Sequence, residues 1–187
     1  MKSINPYTGE TIQTFTQFTP SQVSASITKA HEAFLSWKKT SFSERSNLMR
    51  SVAKGLREHK DKYAKTMTLE MGKPIAQAKA EIDKCAWLCE YYADTAEQHL
   101  TSKIIKTDAA KSYVNYEPIG VVLAVMPWNY PFWQVFRFIV PALMAGNVGV
   151  LKHASNVMGC AEHIEAVFIN TGFPKHCFQN LPISSSK

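Results

Sequence analysis

From Thr19 onward, apolar residues recur at alternating spacings of four and three: Val23, Ile27, Ala30, Phe34 and Trp37, with polar residues between them. That period lays one apolar stripe along a helix. Thr19, Pro20 and Gln22 supply its N-cap, a first-turn proline and the partner of a capping box. Ser43 is placed to cap a second helix carrying Leu48, Val52 and Leu56. A third carries Tyr63 and Met67 and stops at Gly72 and Pro74. A long fourth helix runs from about Pro74 to Leu100, with Ile75, Ile82, Cys85, Cys89, Tyr92 and Ala96 on or near one face and Glu81, Lys84 and Glu90 away from it.

Beyond Lys111 the period changes to two, and Ser112 to Tyr116 read as a peripheral strand or hairpin before the turn at Glu117, Pro118 and Gly120. Val121 to Met126 form an unbroken apolar run, the pattern of a central strand buried on both faces. A helix over Phe132 to Ala145, a strand at Val148 to Leu151, a helix over Asn156 to Asn170 and a strand at Cys177 to Leu181 follow. The order βαβαβ, with right-handed crossovers, predicts an α/β fold: half of a doubly wound, Rossmann-like parallel sheet behind a helical N-terminal layer. The expected organisation is a helical layer over 1–102, a peripheral strand or hairpin over 103–118 and the half sheet over 119–187, ending in a polar tail of three serines and Lys187.

The chain has 187 residues, 45% hydrophobic and 19% charged, enough to bury a core. No apolar stretch reaches the roughly 20 residues of a membrane helix and the start lacks a signal-peptide run, so a cytoplasmic protein without a membrane partner is expected. The four cysteines contain no CxxC pair, and the six histidines are scattered, so neither a disulfide framework nor a metal site is expected. Cys85 and Cys89 share a helix face and read as buried thiols. A formal charge of +6 raises nucleic-acid binding. The basic residues from Lys38 to Lys65 alternate with Glu44, Glu58 and Asp61, however, as on solvated helix faces, and no nucleic-acid partner is expected.

The segment Met126, Pro127, Trp128, Asn129, Tyr130, Pro131 lies where a strand ends and a helix begins, the rim at which open α/β sheets bind ligands. The two prolines stiffen it, so the Asn129 amide can be held ready to stabilise an oxyanion. By itself it reads first as an aromatic turn whose Asn caps the next helix. Arg137 follows Asn129 by eight residues, slightly over two helical turns, and its guanidinium suits a carboxylate, either of a ligand or of a surface ion pair. Phe132, Trp133 and Phe136 could wall a tunnel or be plain core. Lys152, at the end of the second strand, reads in isolation as an exposed lysine.

The stretches IGVVLAVMPWNYPFWQVFRF, PALMAGNVGVLKHASN and NTGFPKHCFQNL, with NPYTGE, LEMGKP and YEPIG before them, occur in the order and spacing of the aldehyde dehydrogenase superfamily. The chain resembles the amino-terminal part of that family over nearly its whole length. WQVFRF resembles the succinate-semialdehyde subgroup.

The resemblance implies an oxidoreductase that uses NADP or NAD on a small aldehyde. Asn129 would donate to the oxyanion formed when a catalytic cysteine attacks the aldehyde carbon. Met126, Pro127 and Trp128 would lie along the cofactor, Lys152, His153, Ala154 and Ser155 would surround the adenosine ribose, and Arg137, Phe132 and Trp133 would meet the substrate. Many NAD-preferring members carry a glutamate where this chain has Ser155, so serine beside Lys152 and His153 implies acceptance of a 2′-phosphate. The nucleophilic cysteine, the general-base glutamate, the second Gly-rich segment and the subunit-joining strand are expected beyond Lys187. The intact enzyme would then be a homo-oligomer and this chain alone catalytically dead. A non-catalytic dinucleotide-binding or assembly module is the alternative.

Overall fold

The structure, a computed structural model, describes residues 1–184; residues 185–187 of the polar tail lie outside them. The chain opens with an antiparallel hairpin, β1 (Lys2–Ile4) and β2 (Thr11–Thr14), which the sequence pattern did not predict. Its strands are short and largely exposed, so they carry no apolar alternation to detect.

Helix α1 (Pro20–Trp37) starts as expected: the Gln22 amide N–H donates to Thr19 Oγ1 and the Thr19 N–H to Gln22 Oε1. Helix α2 (Phe42–Glu58) starts two residues earlier than Ser43 implies. Ser41 is its cap, because Glu44 lies three residues on and returns the bond to the Ser41 N–H at 2.7 Å. Helix α3 (Lys60–Met71) ends at Gly72, whose φ of 73° is a left-handed cap. Helix α4 (Ile75–Leu100) follows, then the exposed hairpin β3 (Lys103–Ile104) and β4 (Tyr113–Val114).

The remainder is β5 (Val121–Met126), α5 (Trp133–Met144), β6 (Val148–His153), α6 (Met158–Asn170) and β7 (Phe178–Asn180). The three strands form a parallel sheet in the order β5-β6-β7, so the βαβαβ α/β expectation holds and β6, not β5, is central. Gly149 faces Ile139 of α5, and the Phe178 ring packs tilted against Phe168 of α6 with ring centres 5.2 Å apart, which puts both helices on one face. The other face meets α1, where Gln179 Nε2 donates to the Ser26 carbonyl at 3.0 Å. On that face Leu123 and Val125 of β5 are 58% and 65% exposed, because α1 does not reach them. The run Val121–Met126 is therefore buried on one face only, contrary to its sequence pattern.

Helices α2, α3 and α4 form an outer layer packed on α5 and α6. Three buried charges join the layers. Glu70 of α3 accepts from the Gly159 and Cys160 N–H groups at 2.8 and 2.9 Å, which caps α6, whose own N-cap residue Val157 has no polar side chain. Glu81 of α4 does the same for α5. Arg45 of α2 donates to the carbonyls of Trp37, the last residue of α1, of Lys38 and Thr40 just after it, and of Met144 at the end of α5. Each charge sits at the helix end whose dipole it complements. Glu70→Ala strands two buried N–H groups, and a loss of about 3 kcal/mol in urea denaturation is expected; an unchanged midpoint would show that the α6 cap does not hold the layers.

Candidate active site

The parallel register sets Val125 opposite Lys152 and Met126 opposite His153, so β5 and β6 end flush at one rim. Pro127 to Pro131 leave that rim in a tight bend and enter α5. The structure thus brings Met126, Pro127, Trp128, Asn129, Lys152, His153, Ala154 and Ser155 together at the carboxyl edge of the sheet. Pro127, Trp128, Asn129 and Ser155 are exposed. Arg137 also lies exposed on α5, and no described carboxylate forms an ion pair with it. Trp133 is half-buried, with the Lys84 ammonium 3.9 Å from its ring centre.

Two of the expected site residues face elsewhere. Phe132 is completely buried between Tyr63 and Phe136, with ring centres at 5.5 and 6.4 Å, so its ring is core and not a tunnel wall. His153 is 1% exposed and turned to the α5 side, opposite to Lys152, because neighbouring residues on a strand alternate faces. The Ala154 N–H donates to its Nδ1 at 2.8 Å, which leaves the proton on Nε2 to be donated to the Pro131 carbonyl at 3.0 Å. Burial pushes the imidazole down to about 4, against the pull of the Pro131 and Met126 backbone. It is neutral at pH 7 and brings no positive charge to a phosphate; what it does is tie the end of the Pro127–Pro131 bend to β6.

Sequence periodicity missed Glu81 and Lys73. Glu81 belongs to the buried side of α4, at 4% exposure, and receives the Phe132 and Trp133 N–H groups, each at 2.9 Å, on Oε1. Its Oε2 pairs with the Lys73 ammonium, which also lies 3.7 Å from the Tyr130 ring centre. No local motif signals a cap supplied from 51 residues away.

All four cysteines are buried, and burial pushes their thiols up, Cys177 to about 12. None offers a thiolate near the rim. The rim therefore presents an amide donor, a lysine and a serine, without a thiolate from the described residues.

The profile of the Aldehyde dehydrogenase family matches residues 1–187. The chain belongs to that family. It is 52% identical over 181 residues to a probable NADP(+) succinate-semialdehyde dehydrogenase of Synechocystis, covering 97% of this chain and 40% of the relative. It is 50% identical over 186 residues to succinate-semialdehyde dehydrogenase [NADP(+)] 1 of Mycobacterium tuberculosis, covering 98% and 41%. Among solved structures, succinic semialdehyde dehydrogenase from Streptococcus pyogenes in complex with NADP+ superposes with a TM-score of 0.95 at 37% identity, over 99% of this chain and 41% of that one. The chain thus spans about two fifths of the length of these relatives.

In this aldehyde dehydrogenase segment the buried neutral His153 gives a signed pH dependence. As pH falls below 6.5 the unfolded chain takes up a proton that the folded imidazole refuses until about 4. Stability is lost across that window, by about 3 kcal/mol from this residue. His163, also pushed down to about 4 by burial, adds to the slope. Urea denaturation at pH 7.5, 5.5 and 4.5 should show His153→Gln, which can still donate to the Pro131 carbonyl, losing less stability than the wild type; parallel curves would mean that His153 titrates normally.

Proposed function

We propose that the enzyme carrying this segment oxidises succinate semialdehyde, or a similar small aldehyde, to the acid with NADP. The observation that carries the reading is the Asn129 amide, exposed at the sheet's carboxyl rim on a bend gripped from both sides, just beyond the strand end at which Val125 faces Lys152. Attack by a cysteine thiolate on an aldehyde carbon creates an alkoxide, and a fixed N–H donor stabilises that charge as it develops. The names of the Synechocystis, Mycobacterium and Streptococcus relatives support the substrate and the coenzyme.

The residues present fit a dinucleotide. Lys152 stands on the open face beside the bare Val125 and Leu123, and the turn after it ends in Ser155, with no carboxylate to repel a 2′-phosphate. When bound, NADP would accept the hydride. Lys152 would donate to the adenosine ribose, Ser155 would bond the 2′-phosphate, and the backbone of Met126, Pro127 and Trp128 would run along the coenzyme. Arg137, exposed and without an acidic partner among the described residues, would hold the distal carboxylate of the substrate, and half-buried Trp133 would flank it. The nucleophile, the general base and the subunit contacts of a homo-oligomer would come from outside this segment, in the cytoplasm.

Three measurements test the reading. In the active enzyme, kcat/KM with NADP should equal or exceed that with NAD; a strong NAD preference refutes the role given to Ser155. Arg137→Leu should raise KM for succinate semialdehyde roughly 10- to 100-fold while changing that for a neutral four-carbon aldehyde by less than about threefold; equal losses would make Arg137 structural. The purified 187-residue chain should show no turnover with either coenzyme, and measurable aldehyde oxidation by it would overturn the assignment of the nucleophile.

A further inference from the structure

Helix α5 begins without a cap of its own, since Phe132 at its N-cap position has no polar side-chain atom. Glu81 closes it from α4, taking the Phe132 and Trp133 N–H groups on a single oxygen. Those are the donors that a helix N-terminus would otherwise offer to an anion. With them occupied, the amide of Asn129, in the bend just ahead, is left as a donor for an alkoxide at this rim, beside Lys152 and Ser155 at the end of β6. Asn129 is exposed and has no hydrogen bond of its own among the described residues, so the place of its backbone in the bend is set by its neighbours. Those neighbours are held: Tyr130 by the Lys73 ammonium over its ring, Pro131 by His153, Phe132 and Trp133 by Glu81.

A lone carboxylate at this place would cap the helix but would also set a negative charge beneath a developing alkoxide, in surroundings that screen it poorly. Lys73 removes that conflict. Its ammonium pairs with Glu81 Oε2, and both side chains are more than nine-tenths buried. Resting on the reading of Asn129 as oxyanion donor, we propose that Lys73 and Glu81 are positioning residues for it: a charge-neutral couple that fixes the bend from Asn129 to Trp133 without opposing the charge Asn129 stabilises.

The couple cannot be cut on one side without leaving a buried charge unpaired. Lys73→Met and Glu81→Gln made together leave no net charge and keep a carbonyl oxygen to receive both N–H groups. The test is a comparison of the wild-type chain, each single variant and the double variant. By 15N relaxation of the labelled chain, amide order parameters for Trp128 to Tyr130 should be near 0.85 in the wild type, fall below about 0.6 in each single variant and recover in the double, while α2 and α4 stay rigid throughout. In the active enzyme each single change should lower kcat by roughly tenfold or more, with KM for the aldehyde within about twofold, and the double should regain most of it. Bend order unchanged in the singles, order lost evenly across the helices, or a double no better than the worse single would each overturn the proposal. Should the singles fail to fold, the double decides: a rigid bend with near-wild-type kcat supports the couple, and a mobile bend overturns it. Asn129→Ala separates the two readings, because unchanged kcat there defeats the oxyanion role itself, whereas an active-site loss from Asn129→Ala with silent Lys73 and Glu81 variants defeats only the couple.

Discussion

The structure depends on helix ends closed by charges from another layer. Helices α5 and α6 flank the three-stranded sheet, and each begins with a residue that cannot cap it, Phe132 and Val157. Glu81 and Glu70 do so from α4 and α3, while Arg45 of α2 serves the carboxyl ends of α1 and α5. Burying a carboxylate costs more than an ordinary hydrogen bond returns, so each side chain is tolerated only because two or more backbone groups meet it. The helical layer is therefore not simply packed on the sheet unit by apolar contact. It completes that unit's hydrogen bonding, and neither half is satisfied without the other.

This explains which parts were legible in the sequence. Local signals were reliable: the Thr19 and Gln22 capping box, the Gly72 stop and the βαβαβ order all rest on neighbours within a few residues. Ser41 is legible too, through Glu44 three residues later, a partner that Ser43 lacks at the same spacing. Glu81 and Glu70 were not. A period-based reading sends carboxylates to the solvent face, and their partners lie 51 and 89 residues away. His153 could have been placed correctly, since strand alternation alone sends it to the face opposite Lys152. Leu123 and Val125 could not, because an apolar strand residue looks the same whether or not this chain supplies its cover.

The same division applies to the rim. Family membership follows from motifs spread over the entire chain, and the geometry adds what the motifs lack. His153, named as a cofactor neighbour, supports the bend from behind. Phe132, named as a substrate wall, belongs to the aromatic column that runs from Tyr63 through Phe136 to Phe168. The polar side chains left over at the edge are few: Asn129, Lys152, Ser155 and, on α5, Arg137. Each is short of partners among the described residues, while almost every group behind them is satisfied.

The sequestered sulfurs have a practical meaning of their own. A thiol held in its protonated form and walled from solvent cannot meet an alkylating reagent until the wall parts. Cys85 and Cys89 sit in α4, Cys160 in α6 and Cys177 at the entry to β7. Their rates of capture under native conditions would therefore time, separately and without any engineered probe, how often each half of the molecule breathes.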